Sequence, residues 1–232
     1  MFYGWYVLSA CVLISMYFSG TIYMGFTTIF EPIALEMGWS YAQISFAASL
    51  RGFETGVLIF VSGIIVDRWG PRKLIFWGSV ITGIGLLMLS KVDSLIMFYI
   101  SFGIICLGVS SAPTPILMSA VTNWFRKRQG LTMGITASGV AFGGLFVPLI
   151  TALVDTLGWR QAMGLMGFGV FLIPMPLSLL LRHKPEQYGY QPDGEKIDIS
   201  EYENKPIREK SRVPLKEVGA VLSSGVFWII SF

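Results

Sequence analysis

The sequence has little of what a soluble enzyme or nucleic-acid-binding protein needs. Only 13% of its 232 residues are charged, whereas soluble domains carry roughly a quarter. It has a single histidine, His183, and two cysteines, Cys11 and Cys106, that lie within apolar runs without metal-ligand spacing. We therefore expect no metal site, no cofactor and no enzyme activity, since an intramembrane enzyme would need clustered catalytic side chains. Basic residues fall in short clusters between apolar runs, which argues against nucleic-acid binding.

Long apolar runs take the place of the missing charge, because 53% of the residues are hydrophobic. A helix needs about 20 apolar residues to cross a bilayer core of about 30 Å. Six stretches reach or approach this length, and they are 5–30, 44–66, 74–90, 95–121, 131–154 and 162–181. A seventh begins near Val218 and stops at Phe232. The pattern predicts an all-α membrane protein, and we expect the chain to be a fragment or a truncated gene product.

Lys and Arg are distributed unevenly between the connecting segments. The turns after the second and fourth spans and the segment after the sixth carry fourteen of them, whereas the alternate connections carry only Lys91 and Arg160. Basic residues in short loops stay on the cytoplasmic side of a membrane. We therefore predict a multi-pass protein of the cell membrane with a cytoplasmic N-terminus.

The segment 182–217 differs in composition from the rest of the chain. It is polar, mixes acidic with basic residues and contains Pro185, Pro192, Pro206 and Pro214. Such a segment cannot bury an apolar core. We predict a bundle of six helices over residues 1–181, a flexible cytoplasmic linker over 182–217, and the start of a seventh helix over 218–232.

A short motif occurs twice. Both 67–72 (DRWGPR) and 155–160 (DTLGWR) read D-x-x-G-x-R, and they lie 88 residues apart on opposite predicted sides of the membrane. A unit of three helices that is repeated after an odd number of spans must be inverted. The repeat therefore favours a 3+3 arrangement of the six helices.

The first copy belongs to a longer motif at the predicted cytoplasmic end of the second span. It reads G-x-x-x-D-R-x-G-x-R, with Gly63, Asp67, Arg68, Gly70 and Arg72 at the fixed positions. Glycine at its start permits close helix approach, and glycine before a proline favours a tight turn. The aspartate could accept hydrogen bonds from a helix N-terminus. We interpret the motif as a cytoplasmic gate, with an ordinary basic turn as the alternative.

This motif resembles the signature of the major facilitator superfamily. A narrower resemblance, to the oxalate:formate antiporter and monocarboxylate transporter branch, rests on three further stretches, which are 123–131 (NWFRKRQGL) with 133–135 (MGI), the linker residues 182–194, and Phe227-Trp228. The resemblance implies the N-terminal six-helix half of a twelve-helix fold that binds small organic anions between its halves. One departure is that the first span has no charge, whereas animal monocarboxylate transporters have a lysine there.

Two charged residues lie within the predicted spans. Arg51 and Glu54 precede Asp67 by 16 and 13 residues, which places them about 24 and 20 Å into the bilayer. At i and i+3 they share a helix face and can reach each other. We predict that both contribute to substrate binding or coupling, together with Tyr17 and Tyr23 of the first span, which line the cavity. Alternatively, the arginine extends to the outer surface and the pair is structural.

The sequence therefore predicts secondary active transport of small organic anions, mono- or dicarboxylates, by alternating access. The expected partners are the substrate, the lipid bilayer and either a missing C-terminal half or a second copy of the chain. A drug or sugar carrier of the same fold is the alternative within transport. A truncated membrane remnant that does not transport is the alternative from another class.

Overall fold

The computed structural model describes residues 2–112, 114–182, 185 and 193, with the backbone alone for 50, 51, 53–57, 59, 60, 67 and 68. All of these residues belong to one unit, Met1–Glu195. The helices are α1 (Gly4–Phe18), α2 (Phe30–Met37), α3 (Tyr41–Leu89), α4 (Leu95–Val109), α5 (Thr114–Thr122), α6 (Gln129–Phe142), α7 (Phe146–Leu157), α8 (Trp159–Leu172) and α9 (Pro174–Leu180). A π-helical turn, Ser19–Met24, and a 3-10 turn, Gly25–Ile29, join α1 to α2. Another 3-10 turn, Gly143–Leu145, joins α6 to α7.

Five helical runs in the described residues are long and apolar enough to cross a membrane. They are Gly4–Met37, Trp69–Leu89, Leu95–Thr122, Gln129–Leu157 and Trp159–Leu180. The prediction of an all-α membrane protein is therefore confirmed. The second predicted span, 44–66, lies in the helical backbone of α3 but is not among the five. The six-helix 3+3 arrangement stays a prediction, and the seventh helix lies outside the described residues.

The first span is longer than its sequence predicted. Helical structure continues from α1 through the two turns into α2 and ends at Met37, where Gly38 adopts a left-handed conformation with φ 65°. The predicted end of the first span at residue 30 is therefore wrong, because the helical run continues to Met37. The reason is physical: the charges of Glu31 and Glu36 ended the apolar run in the sequence, but they do not prevent a helix from continuing.

The chain turns sharply between the second and third predicted spans. Gly70 has φ 77° and ψ 160°, which interrupts α3 at one residue. Only glycine adopts such a conformation at low cost, and Pro71 starts the next helical stretch, where its missing N–H group is not needed. The tight turn predicted at Gly70-Pro71 is therefore confirmed, and it interrupts the helix at a single residue.

The interruptions of the first and fifth spans face each other. A Cβ atom built on Gly20 would lie 2.6 Å from the carbonyl oxygen of Gly143. Beside this contact, the Ser19 hydroxyl donates a hydrogen bond of 2.8 Å to the carbonyl of Val140. The two backbones therefore touch where both helices depart from α geometry, and side chains larger than hydrogen are excluded there.

Candidate functional site

A cavity of about 310 Å³ lies between the first, fourth and fifth spans. It opens beside the π-helical turn of the first span and at the interruption between α4 and α5. The first and fourth spans contribute its polar lining residues, which are Ser15, Ser19, Tyr23 and Thr114. Both interruptions displace backbone from the regular helical path, which leaves space that continuous helices would fill.

The cavity is mainly apolar. Phe18, Met24, Ala112, Pro115 and Val140 complete its lining. Within the part of the chain that the structure describes, no charged residue lines it. These walls can hold the apolar body of a small molecule and offer hydroxyl groups for hydrogen bonds, but they supply no cation for a carboxylate.

The two tyrosines predicted for the cavity lie in different surroundings. Tyr23 lines the cavity and is 41% exposed. Tyr17 is buried, and its hydroxyl donates a hydrogen bond of 2.7 Å to the carbonyl of Met166 in α8. The structure thus gives Tyr17 a packing contact between the first and sixth spans. The predicted contact of both tyrosines with substrate stays a prediction.

The charged pair predicted for the second span lies where the structure describes the backbone alone. Arg51 and Glu54 are in the helical backbone of α3, and their side chains are outside the described part of the structure. The same holds for Asp67 and Arg68 of the gate motif. Their roles stay predictions.

The other gate-motif residues are described. Gly70 forms the break in α3, and Arg72 is exposed just beyond it. Gly63 is exposed, and among the described residues no atom lies within 4 Å of a Cβ built on it. The close helix approach predicted for Gly63 therefore does not occur within the described bundle, and an approach by another element stays a prediction.

A charged cluster that the sequence reasoning missed joins the end of α2, the connection between α3 and α4, and the start of α8. Arg160 Nε donates to Glu36 Oε1 at 2.9 Å, and Arg160 Nη1 donates to the carbonyl of Val92 at 2.6 Å. Trp159 Nε1 donates to Glu36 Oε2 at 2.6 Å, and Asp93 lies 3.5 Å from Arg160 Nη2. We call this set the Arg160 cluster. Its arginine ends the second copy of the repeated motif, which is the signal that could have drawn attention to it.

A second set of contacts holds one residue of the predicted linker against the connection between α5 and α6. Asp193 Oδ2 accepts hydrogen bonds from the backbone N–H groups of Arg126 and Lys127 at 2.9 and 2.8 Å. Its own N–H donates to the carbonyl of Trp124 at 2.9 Å. We call this the Asp193 clasp. The sequence reasoning missed it, and the linker is attached to the bundle at this residue.

The comparisons with known proteins agree with the membrane fold. A family model described as Major Facilitator Superfamily matches residues 9–232. The Fujikurins efflux protein of Gibberella fujikuroi is 33% identical over 146 residues, which cover 62% of this chain and 31% of that protein. The Oxalate:formate antiporter of Oxalobacter formigenes is 27% identical over 189 residues, covering 79% and 44%.

A solved structure supports the fold independently. The crystal structure of the POT family transporter PepTSo matches with a TM-score of 0.61 and 20% identity, covering 95% of this chain and 46% of that one. At this identity the likeness concerns the fold alone. The chain spans less than half the length of each of these three proteins.

Proposed function

The chain belongs to the Major Facilitator Superfamily of membrane transporters, and on this premise we propose that it supplies one half of a secondary transporter for small organic anions, mono- or dicarboxylates. The observation that carries the proposal is the 310 Å³ cavity, which lies where the first and fourth spans depart from regular α-helix. A cavity between interrupted membrane helices is a common setting for transported substrates.

The proposed anion needs a cation that the described cavity walls do not provide. Arg51, in the helical backbone of the second span, is our candidate for this contact, with Glu54 as its partner or as a coupling group. A relative, the Oxalate:formate antiporter, is named for two carboxylates. A charged residue within a membrane span is costly unless it faces a partner or a wet cavity, which supports a functional role.

A second half of the transporter is part of the proposal. The run Gln129–Leu157, which contains the predicted fifth span, is the least enclosed of the five described runs. Its most apolar stretch is 22% buried, compared with 67% for that of Gly4–Met37. Such a face suits lipid or a further set of helices. We propose that six helices in a 3+3 arrangement pack against a C-terminal half or a second copy, and that alternating access is the relative movement of the two.

The proposed orientation has a direct test. Cysteine probes at positions 91 and 155 should react with a membrane-impermeant reagent in intact cells, because the basic asymmetry places Lys91 and Asp155 outside. Probes at positions 72 and 126, replacing Arg72 and Arg126, should react only after the membrane is permeabilised. Reversed labelling at either pair contradicts the proposed cytoplasmic N-terminus.

Uptake of radiolabelled oxalate and formate into vesicles from cells that express the chain together with a C-terminal half tests the proposed function. Arg51→Gln should weaken apparent affinity by about ten- to a hundredfold, since a hydrogen bond to a charged group contributes roughly 1.5–3 kcal/mol. The control Lys91→Gln, at an exposed position, should leave affinity unchanged. Equal losses in the two variants contradict the role proposed for Arg51, and the absence of saturable uptake when both halves are present contradicts the proposed function. The chain by itself should show no saturable uptake, because only one half of the proposed site is present, and such uptake would indicate that a second copy supplies the other half.

The double variant separates a substrate contact from a structural pair. If Arg51 and Glu54 only neutralise each other, each single variant strands a charge and lowers protein abundance. Arg51→Gln/Glu54→Gln should then recover both abundance and uptake. If the arginine binds substrate, the double variant should reach normal abundance and remain defective in uptake.

A second candidate function is efflux of larger, mainly apolar metabolites. It is favoured by the 33% identity to a fungal efflux protein and by the apolar lining of the cavity. Under this alternative, cells that express the chain would tolerate hydrophobic toxic compounds better than control cells, and Arg51→Gln would not remove that tolerance.

A further inference from the structure

One hydroxyl group in the cavity has no hydrogen-bond partner. Among the side chains that the structure describes, Ser15 Oγ is the one buried nitrogen or oxygen atom in this condition. Ser15 lies in α1, is 5% exposed and contributes to the cavity wall. A buried polar group without a partner is rare in folded proteins, because it loses its bonds to water and gains none in return.

Several other buried serine and threonine hydroxyl groups donate to a carbonyl of their own helix. Ser79 donates to the carbonyl of Ile75 at 2.7 Å, and Thr136 donates to that of Thr132 at 2.8 Å. This back-bonding is the usual solution for serine and threonine in apolar helices. The hydroxyl of Ser15 makes no such bond, so its capacity to donate and accept remains available in the cavity.

The surroundings of Ser15 limit what can satisfy it. Ser19, one helical turn further on, already donates to the carbonyl of Val140. The neighbouring walls of Phe18, Pro115 and Val140 are apolar. A hydroxyl or carbonyl oxygen on an otherwise apolar body suits these surroundings best, because it satisfies Ser15 without bringing a charge next to apolar walls.

We propose that Ser15 determines specificity by binding a hydroxyl or carbonyl oxygen on the apolar body of the transported anion. The substrate class is thereby narrowed to oxygen-substituted carboxylates, whose carboxylate group is bound outside this part of the cavity. The inference rests on the proposed transport function. An analogue without this oxygen would leave the Ser15 hydroxyl unpaired when it binds, and it is therefore bound more weakly. A single hydroxyl group can discriminate between substrates in this way.

A competition assay tests this specificity. Uptake of labelled 3-hydroxybutyrate into vesicles is measured against unlabelled 3-hydroxybutyrate and against butyrate, which lacks the hydroxyl group. The unmodified chain should prefer 3-hydroxybutyrate by about three- to tenfold, as expected for one neutral hydrogen bond. Ser15→Ala should reduce this preference to about one. Ser79→Ala, which removes a satisfied hydroxyl outside the cavity lining, should keep it.

A stability measurement tests the same inference without transport. Ser15→Ala removes an unsatisfied group, so its Tm in detergent should equal or exceed that of the unmodified chain. Ser79→Ala removes a satisfied bond, so its Tm should fall. A similar fall for Ser15→Ala would mean that water or backbone already satisfies the hydroxyl, and this would overturn the inference.

The uptake results distinguish a failure of the Ser15 specificity role from a failure of the proposed transport function. If the unmodified chain takes up labelled carboxylates but Ser15→Ala keeps the same preference, the specificity role is wrong and the proposed function stands. If the unmodified chain takes up none of the carboxylates when its second half is present, the proposed function fails and the specificity role fails with it.

Discussion

Arg160→Ala should destabilise the bundle by about 1–2 kcal/mol, because it removes the central donor of the Arg160 cluster. Most of this loss comes from the bond to the carbonyl of Val92, a fully buried residue whose oxygen would lose its charged donor. The Glu36 side chain is 49% exposed, so its pairing with the guanidinium contributes about 0.5 kcal/mol. The Asp93 contact, at 3.5 Å and with that side chain 86% exposed, contributes close to nothing.

Thermal unfolding of the purified chain in detergent, followed by tryptophan fluorescence, measures this effect. For a chain of this size, 1 kcal/mol corresponds to a change in Tm of about 2–4 °C, so we expect Arg160→Ala to lower Tm by about 2–8 °C. Lys91→Ala is the matched control, since it removes an exposed basic residue from the connection that contains Val92. It should change Tm by less than about 1 °C.

Arg160→Lys separates the geometry of the guanidinium from its charge. A lysine ammonium is a compact point charge and cannot reproduce the two directed bonds that Nε and Nη1 make to Glu36 and Val92. It should therefore lose most of the stability that Arg160→Ala loses. A lysine variant as stable as the unmodified chain would show that charge alone is sufficient. An alanine variant that matches the Lys91→Ala control would refute the assignment of stability to this cluster.

Three further predictions concern other contacts. Tyr17→Phe should lower Tm, because the buried hydroxyl bonds α8, whereas the control Tyr41→Phe, at a side chain 60% exposed, should not. Gly20→Ala should sharply reduce folded protein measured by gel filtration, since its Cβ would meet backbone at 2.6 Å, while Gly52→Ala, with no atom within 4 Å of its Cβ among the described residues, should be tolerated. Asp193→Ala should accelerate trypsin cleavage after Arg126 and Lys127, because it frees two backbone N–H groups of that connection; unchanged cleavage would contradict the clasp.

Much of the fold could be predicted from the sequence because membrane helices are specified locally. An apolar run long enough to cross a bilayer must satisfy its backbone internally, so helix is the expected structure. The break at Gly70 was equally local, since glycine before proline restricts the backbone by itself. The prediction failed at residues 31–37, because an acidic side chain marks the end of an apolar run without ending the helix.

The site could be predicted only in part, because its contacts join distant positions. Glu36 and Arg160 are 124 residues apart, and no spacing rule connects them. Asp193 lies in a segment whose composition predicts a flexible linker, yet its carboxylate accepts hydrogen bonds from two backbone N–H groups. Backbone donors are present in almost any sequence, so no residue pattern indicates this contact. Tyr17 and Tyr23 look alike in the sequence, and only the packing of α1 separates the buried tyrosine from the one in the cavity wall.

The positions of these contacts indicate which parts of the proposed half-transporter can move relative to one another. The Arg160 cluster joins α2, the connection between α3 and α4, and α8, and the Asp193 clasp holds the connection between α5 and α6 at another site. Between the connections, Gly20 and Gly143 bring the first and fifth spans into backbone contact, where bending one helix would force a clash with the other. A bundle held in this way resists internal rearrangement, because packed interiors shift between discrete arrangements instead of deforming gradually. We therefore expect alternating access to arise from movement of this whole unit against its partner half, with the cavity wall beside Ser15 carried along unchanged.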